Sequence, residues 1–224
     1  MFILRHPCIL DIIAVNYGDD KHAPSLILSL EPTSLESAIA DKTLENIDKC
    51  RITLEIVLGM RYIHNHNFMH RDLKPSNILL SKDCHVRNSD FGLAKEEGIE
   101  ISQTKGVGTL RFMAPELLAQ DEDEELKYTN KVDVYSFGIT LIYIITGSYP
   151  KFNMKKAVNG VLPQIPESIV PWVRELILSC LSFEAENRPS FDQIFEILKS
   201  NNYDLFKEKS SNKMARKQES MKKE

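Results

Sequence analysis

No cysteine of this chain has a near neighbour of its own kind. Cys8, Cys50, Cys84 and Cys180 are the only four among 224 residues, and none belongs to a C-x-x-C pair. Neither a disulfide framework nor a zinc site is expected, and the spacing fits reduced thiols in an intracellular, cytoplasmic protein. A dominant charge is also missing. The 28 basic and 32 acidic residues leave a net charge of -4, which gives no reason to expect nucleic acid as a partner. The start, Met1-Phe2-Ile3-Leu4-Arg5-His6, lacks a basic segment followed by a long apolar one, so it is not a secretory signal. The most apolar stretch, Val132–Thr146, contains Asp133, Ser136 and Gly138 and is too short and too polar to span a bilayer. No membrane partner is expected, and no internal repeat is present.

What is there is ordinary for a folded domain: 42% apolar and 27% charged residues in a length suited to one sizeable core. Two short apolar runs, Ile9–Val15 and Leu26–Leu30, flank the polar stretch Asn16–His22 and predict two adjacent strands. Thr33-Ser34-Leu35-Glu36 has the form of a capping box opening a short helix through Ala40. A longer helix is predicted over about 44–64, because Ile52, Ile56, Met60 and Ile63 recur on one face. Between Phe68 and Gly108 the apolar pattern breaks into short pieces with polar turns, the usual setting for loop-borne chemistry. A buried helix follows over about 131–146, and two amphipathic helices over about 171–181 and 190–199. The last of these opens on Ser190-Phe191-Asp192-Gln193, a second capping box. Beyond Phe206 the chain is polar, mainly basic and without aromatics, and is expected to be a disordered tail.

The stretch His70-Arg71-Asp72-Leu73-Lys74-Pro75-Ser76-Asn77 resembles the catalytic loop of eukaryotic protein kinases. Asp90-Phe91-Gly92 follows eighteen residues after Asp72, and Ala114-Pro115-Glu116 comes next; any one triplet means little, but their order and spacing together are specific. The resemblance implies ATP and Mg²⁺ as cofactors and a protein hydroxyl as substrate. Asp72 would accept or orient the hydroxyl proton, Lys74 would neutralise the transferring γ-phosphate, and Asn77 and Asp90 would hold Mg²⁺. Phe91 would pack against the core and Gly92 would free the backbone to turn. The family resemblance extends to Lys131–Gly138, where Asp133 taken alone could be a helix-start cap but by resemblance would be buried and hydrogen-bond the backbone of the catalytic loop. It extends also to Arg188, the counterpart of the arginine that pairs with Glu116, and to Gly59–His64 leading into the loop.

Leu73–Asn77 and Gly108-Thr109 resemble serine/threonine kinases, with Thr109 expected near the substrate hydroxyl. Asp133–Gly138 has the form common in tyrosine kinases and tyrosine-kinase-like kinases. The combination resembles the tyrosine-kinase-like group of serine/threonine kinases. Ser102 and Thr104 are candidate phosphosites that would pair with Arg71, or else solvated loop hydroxyls. The acidic run Asp121–Glu125 is expected to be a solvated insertion.

No glycine-rich phosphate-covering loop and no V-A-I-K-like lysine precedes these motifs, and Leu4-Arg5-His6-Pro7 resembles the end of the first helix of the family's N-lobe. The implied fold is α+β, mainly the helical C-lobe with a remnant of the N-lobe sheet. Its expected divisions are 1–31, 32–206 and a tail from 207 to 224. A hinge at Ser29-Leu30-Glu31 and a floor at Leu79 would contact adenine, and ATP would bind poorly without the missing parts. A non-catalytic binding module is the alternative function. Nothing in the sequence fixes an oligomeric state.

Overall fold

The computed structural model of the chain describes residues 5–18, 23–90, 110–119, 129–151 and 153–207. Phe91, Gly92, Ser102, Thr104, Thr109, the run Asp121–Glu125 and the tail from 208 onward lie outside the described residues.

The two strands predicted near the start form as β1 (Ile12–Asn16) and β2 (Ser25–Leu28), paired antiparallel with Val15 opposite Leu26 and Asn16 opposite Ser25. Just before β1, Ile9 bridges Asn88, Leu10 N–H donates to Asn88 O at 2.9 Å, and Asn88 N–H donates to Cys8 O at 2.9 Å. A second sheet joins β3 (Thr33–Ser34) to β4 (Ile78–Leu80) and β4 to β5 (Val86–Asn88), all antiparallel.

Helix α1 (Leu35–Ala40) begins one residue later than the box at Thr33 predicts. Its N-cap is Ser34, whose Oγ accepts from Ser37 N–H at 3.2 Å. Glu36 is drawn away to a distant partner: Tyr149 Oη donates to Glu36 Oε1 at 2.6 Å. Helix α2 (Asn46–Asn65) opens on a reciprocal box between Glu45 and Asp48. Its Ile52, Ile56, Met60 and Ile63 are fully buried, each contributing about 1.5–3 kcal/mol of burial.

After the short α3 (Pro115–Leu118), α4 (Lys131–Thr146) is buried at every position from Val132 to Ile144, as its near-continuous apolar character requires. Gly147, at φ 70°, ends it in the left-handed conformation that a glycine adopts without strain. The short α5 (Met154–Ala157) precedes α6 (Pro171–Cys180) and α7 (Phe191–Ser200). The box at Ser190 forms as its sequence predicts, with Gln193 N–H donating to Ser190 Oγ at 3.2 Å and Ser190 N–H to Gln193 Oε1 at 2.7 Å. Helix α4 packs on α6, and α2 packs on α7. The fold is α+β, helices dominating, with the polar loop between α2 and β4 bonded to Asp133 in the first turn of α4. No helix of the described residues is long and apolar enough to cross a membrane.

Candidate active site

The loop after α2 is suspended from one carboxylate. Asp133, with no exposed surface, accepts from His70 N–H at 2.8 Å, Arg71 N–H at 2.7 Å and His64 Nε2 at 2.8 Å. A buried charge is tolerable only with such donors. Burial pushes its carboxyl up, but His64 and the His70 N–H together hold it below the usual 3.8. Its side chain therefore acts as a buried acceptor for the loop and not as a cap for α4, whose N-cap is Asn130. The anchor falls where the backbone is strained: Arg71 sits at φ 68°, a region costing a side-chain-bearing residue about 1–2 kcal/mol.

With the turn fixed, Asp72, Lys74 and Asn77 converge. Asp72 Oδ2 accepts from Lys74 Nζ at 2.6 Å and from Asn77 Nδ2 at 2.9 Å, and the same Nδ2 reaches Asp72 O at 2.9 Å. Asp72 Oδ1 is buried and has no hydrogen-bond partner among the described residues. Because Asp72 occupies the Asn77 amide nitrogen, Oδ1 of Asn77 is the end left for a cation. Behind it, Ser89 N–H and Oγ both donate to Asn77 O, at 2.9 and 2.8 Å. This pair of hydrogen bonds ties the end of β5 to the loop, and Asp90, exposed and at φ 63°, is the next residue. His70 is fully buried beneath, and burial lowers its imidazole below the ordinary 6.5, so it stays neutral.

Arg188 and Glu116 form a fork-to-fork pair, Nη1 to Oε1 at 2.6 Å and Nη2 to Oε2 at 2.8 Å. The remaining guanidinium hydrogens go to Ser182 O, Phe183 O and Lys131 O, so all five donors are used. This buried arginine fastens α3 to the start of α4 and the turn before α7. The adenine-contact residues are less gathered. Leu30 is 96% exposed, Glu31 lies 3.8 Å from Arg87, and Leu79 is half-buried in β4 opposite Ser34 and Arg87.

The sequence does not disclose the His64–Asp133 contact, the part played by Ser89, or the Glu36–Tyr149 pair. His64 ends the run Gly59–His64 and Ser89 adjoins Asp90, but the two longer contacts join residues 69 and 113 positions apart.

The oxygen donors present suit a hard cation. Asn77 Oδ1 and the Asp90 carboxylate would be its protein ligands, with phosphate oxygens and water completing the shell, as Mg²⁺ prefers. Among the described residues no group of three or more His, Cys, Asp or Glu forms a self-sufficient metal cage. An ion there would depend on its nucleotide.

The family described as protein kinase domain matches residues 1–198. A probable serine/threonine-protein kinase of Dictyostelium discoideum is 37% identical over 164 residues, covering 70% of this chain and 11% of the relative. The serine/threonine/tyrosine-protein kinase HT1 of Arabidopsis thaliana is 38% identical over 156 residues, 66% of this chain and 38% of the relative. The RGS domain-containing serine/threonine-protein kinase A of D. discoideum is 34% identical over 209 residues, 89% of this chain and 18% of the relative. The chain belongs to the eukaryotic protein kinase family, in its tyrosine-kinase-like group. It spans 11% to 38% of the length of these relatives.

Proposed function

We propose that the chain is the catalytic part of a protein serine/threonine kinase, using Mg²⁺ and ATP to phosphorylate a protein hydroxyl. The observation that carries this reading is Asp72. One carboxylate oxygen is fixed by Lys74 and Asn77, and the other, Oδ1, is buried with no donor among the described residues. A buried unpaired acceptor costs about 1–3 kcal/mol, and a substrate hydroxyl donating to it would remove that cost. Bound Mg²⁺-ATP would supply the phosphoryl group and neutralise its charge. Asp72 would orient the attacking oxygen and take its proton, Lys74 would meet the negative charge of the transferred group, and Asn77 and Asp90 would hold the ion. Leu30, Glu31 and Leu79 would contact the adenine. Burial raises the Cys8 and Cys180 thiols to about 11 and about 12, leaving them inert, which suits a cytoplasmic protein.

The test is phosphate transfer by the full chain to serine, threonine and tyrosine peptides. Asp72→Asn should lower transfer to serine and threonine about a hundredfold or more, and an unchanged rate removes Asp72 from this role. The open setting of Leu30 favours a second reading, a binding module that does not turn over ATP. Mg²⁺-ATP at 100 times its Kd should stabilise an ATP-binding chain by about 2.7 kcal/mol; no shift in melting supports the second reading.

A further inference from the structure

A groove of about 260 Å³ lies between α4 and the segment after it, and every charge among its lining residues is positive. Arg111, Lys151 and Lys156 supply three cations, while Ile139, Val161 and Leu162 supply an apolar floor and wall. None of the three cations forms an ion pair among the described residues, and Nε of Arg111 is buried without an acceptor. Arg111 is nevertheless held in place. Its guanidinium lies 4.7 Å from the Tyr149 ring centroid, Tyr149 stacks on Tyr143 at 4.1 Å, and Tyr149 Oη donates to Glu36. Burial, and then the hydrogen bond to Glu36, push this phenol far above its ordinary value, so it remains a donor. A preorganised cation facing a groove with no carboxylate among its described lining residues is placed to meet an incoming one.

The groove also connects to the proposed catalytic loop. Phe112, next to Arg111, meets Tyr149 edge-on at 5.7 Å and is pinned through its carbonyl to Ser136 Oγ at 2.7 Å. Glu36, at the other end of the tyrosine, lies on α1, which packs on the turn carrying Asn77. The same aromatic group thus sets both the arginine and the helix beside the loop.

We propose that this groove binds the substrate protein beside its acceptor hydroxyl, selecting a segment in which an aspartate or glutamate adjoins an aliphatic residue. The carboxylate would meet Arg111, Lys151 and Lys156, and the aliphatic side chain would cover Val161 and Leu162. This inference rests on the kinase reading for its substrate but not for its measurement, which is of binding.

The experiment is fluorescence anisotropy of labelled serine peptides with the full 224-residue chain at low salt. The peptides carry Glu-Leu beside the serine, or Gln-Leu, Lys-Leu or phosphoserine-Leu in its place. The Glu-Leu peptide should bind about three- to tenfold more tightly than Gln-Leu, and raised salt should shrink the difference. Lys151→Glu with Lys156→Glu should erase or reverse the preference; both side chains are exposed, so folding is spared. Equal binding of the Glu, Gln and Lys peptides overturns the proposal, as does a preference that survives the double variant. Discrimination by phosphoserine alone overturns the choice of a carboxylate. A chain that prefers Glu-Leu yet transfers no phosphate leaves the groove standing and sinks the catalytic reading alone.

Discussion

Three donors converge on the Asp133 carboxylate, two of them backbone N–H groups of the loop. Asp133→Ala would leave His70 N–H, Arg71 N–H and His64 Nε2 facing a small buried void. A loss of about 3–5 kcal/mol is expected, the cost of breaking a buried charged network. Urea unfolding checks it, and a loss below about 1 kcal/mol would mean the loop is held by other contacts. His70 carries a second expectation, in pH. Folded, burial keeps its imidazole neutral below the ordinary 6.5, while in the unfolded chain it protonates near that value. The unfolded state then binds more protons, so stability falls as pH drops through 6.5 and continues to fall until the folded value is passed. Asp133 is depressed from 3.8, so its contribution persists above that value and disappears only in stronger acid. The urea midpoint should be lower at about pH 5.5 than at about pH 7.5. His70→Asn should flatten the slope; a wild type with equal midpoints contradicts the burial argument.

Elements meet closely where glycine allows it. A Cβ built on Gly59 of α2 would lie 2.3 Å from Asn88 Nδ2 and 3.0 Å from Cys8 O. Alanine is the better helix former by about 1 kcal/mol, so local propensity predicts that Gly59→Ala stabilises. The contact predicts the reverse, because Asn88 Nδ2 already bonds Cys8 O at 2.9 Å and Cys8 O is backbone that cannot swing aside. A net loss of about 1–3 kcal/mol is expected; a raised melting temperature would show that the N-terminal segment yields. The same contrast between local and distant forces decides what the sequence could disclose. The box at Ser190 is legible because both partners lie within one turn. The box at Thr33 predicts a start one residue too early, because Glu36 answers to Tyr149, 113 positions on, and Ser34 takes the cap. In the site, the spacing from His70 to Asn77 marks residues that the fold does gather. That Asp72 keeps one oxygen without a donor, and that His64 completes the Asp133 cluster, depends on three-dimensional closure that no spacing encodes.

Across the whole molecule, stability is unevenly distributed. Helix α4 is buried along nearly its full length, whereas among the described residues strands β1 and β2 pair only with each other. The apolar side chains of this hairpin face outward, Ile13 at 66% exposure and Ile27 at 54%. A lone two-stranded sheet is marginal in water, so the hairpin should open without the rest. The boundary of that opening follows from the bonds at its base. Ile9 and Leu10 are buried and zipped to Asn88, while beyond them Ser29 N–H to Asp11 O at 3.0 Å is the first rung of the hairpin side. Amide exchange should therefore be fast at Ala14, Val15 and Ile27, slow at Leu10 and Asn88, and slowest within α4, near the global unfolding limit. Equal protection of hairpin and α4 would contradict this order and mean that something covers the apolar face. A concentration series identifies that cover: protection that rises with protein concentration marks a second copy of the chain, joined through Ile13 and Ile27. Ile27→Lys should then abolish the rise while leaving exchange in α4 unchanged, since Ile27 is 54% exposed and α4 does not pack extensively on β2 among the described residues.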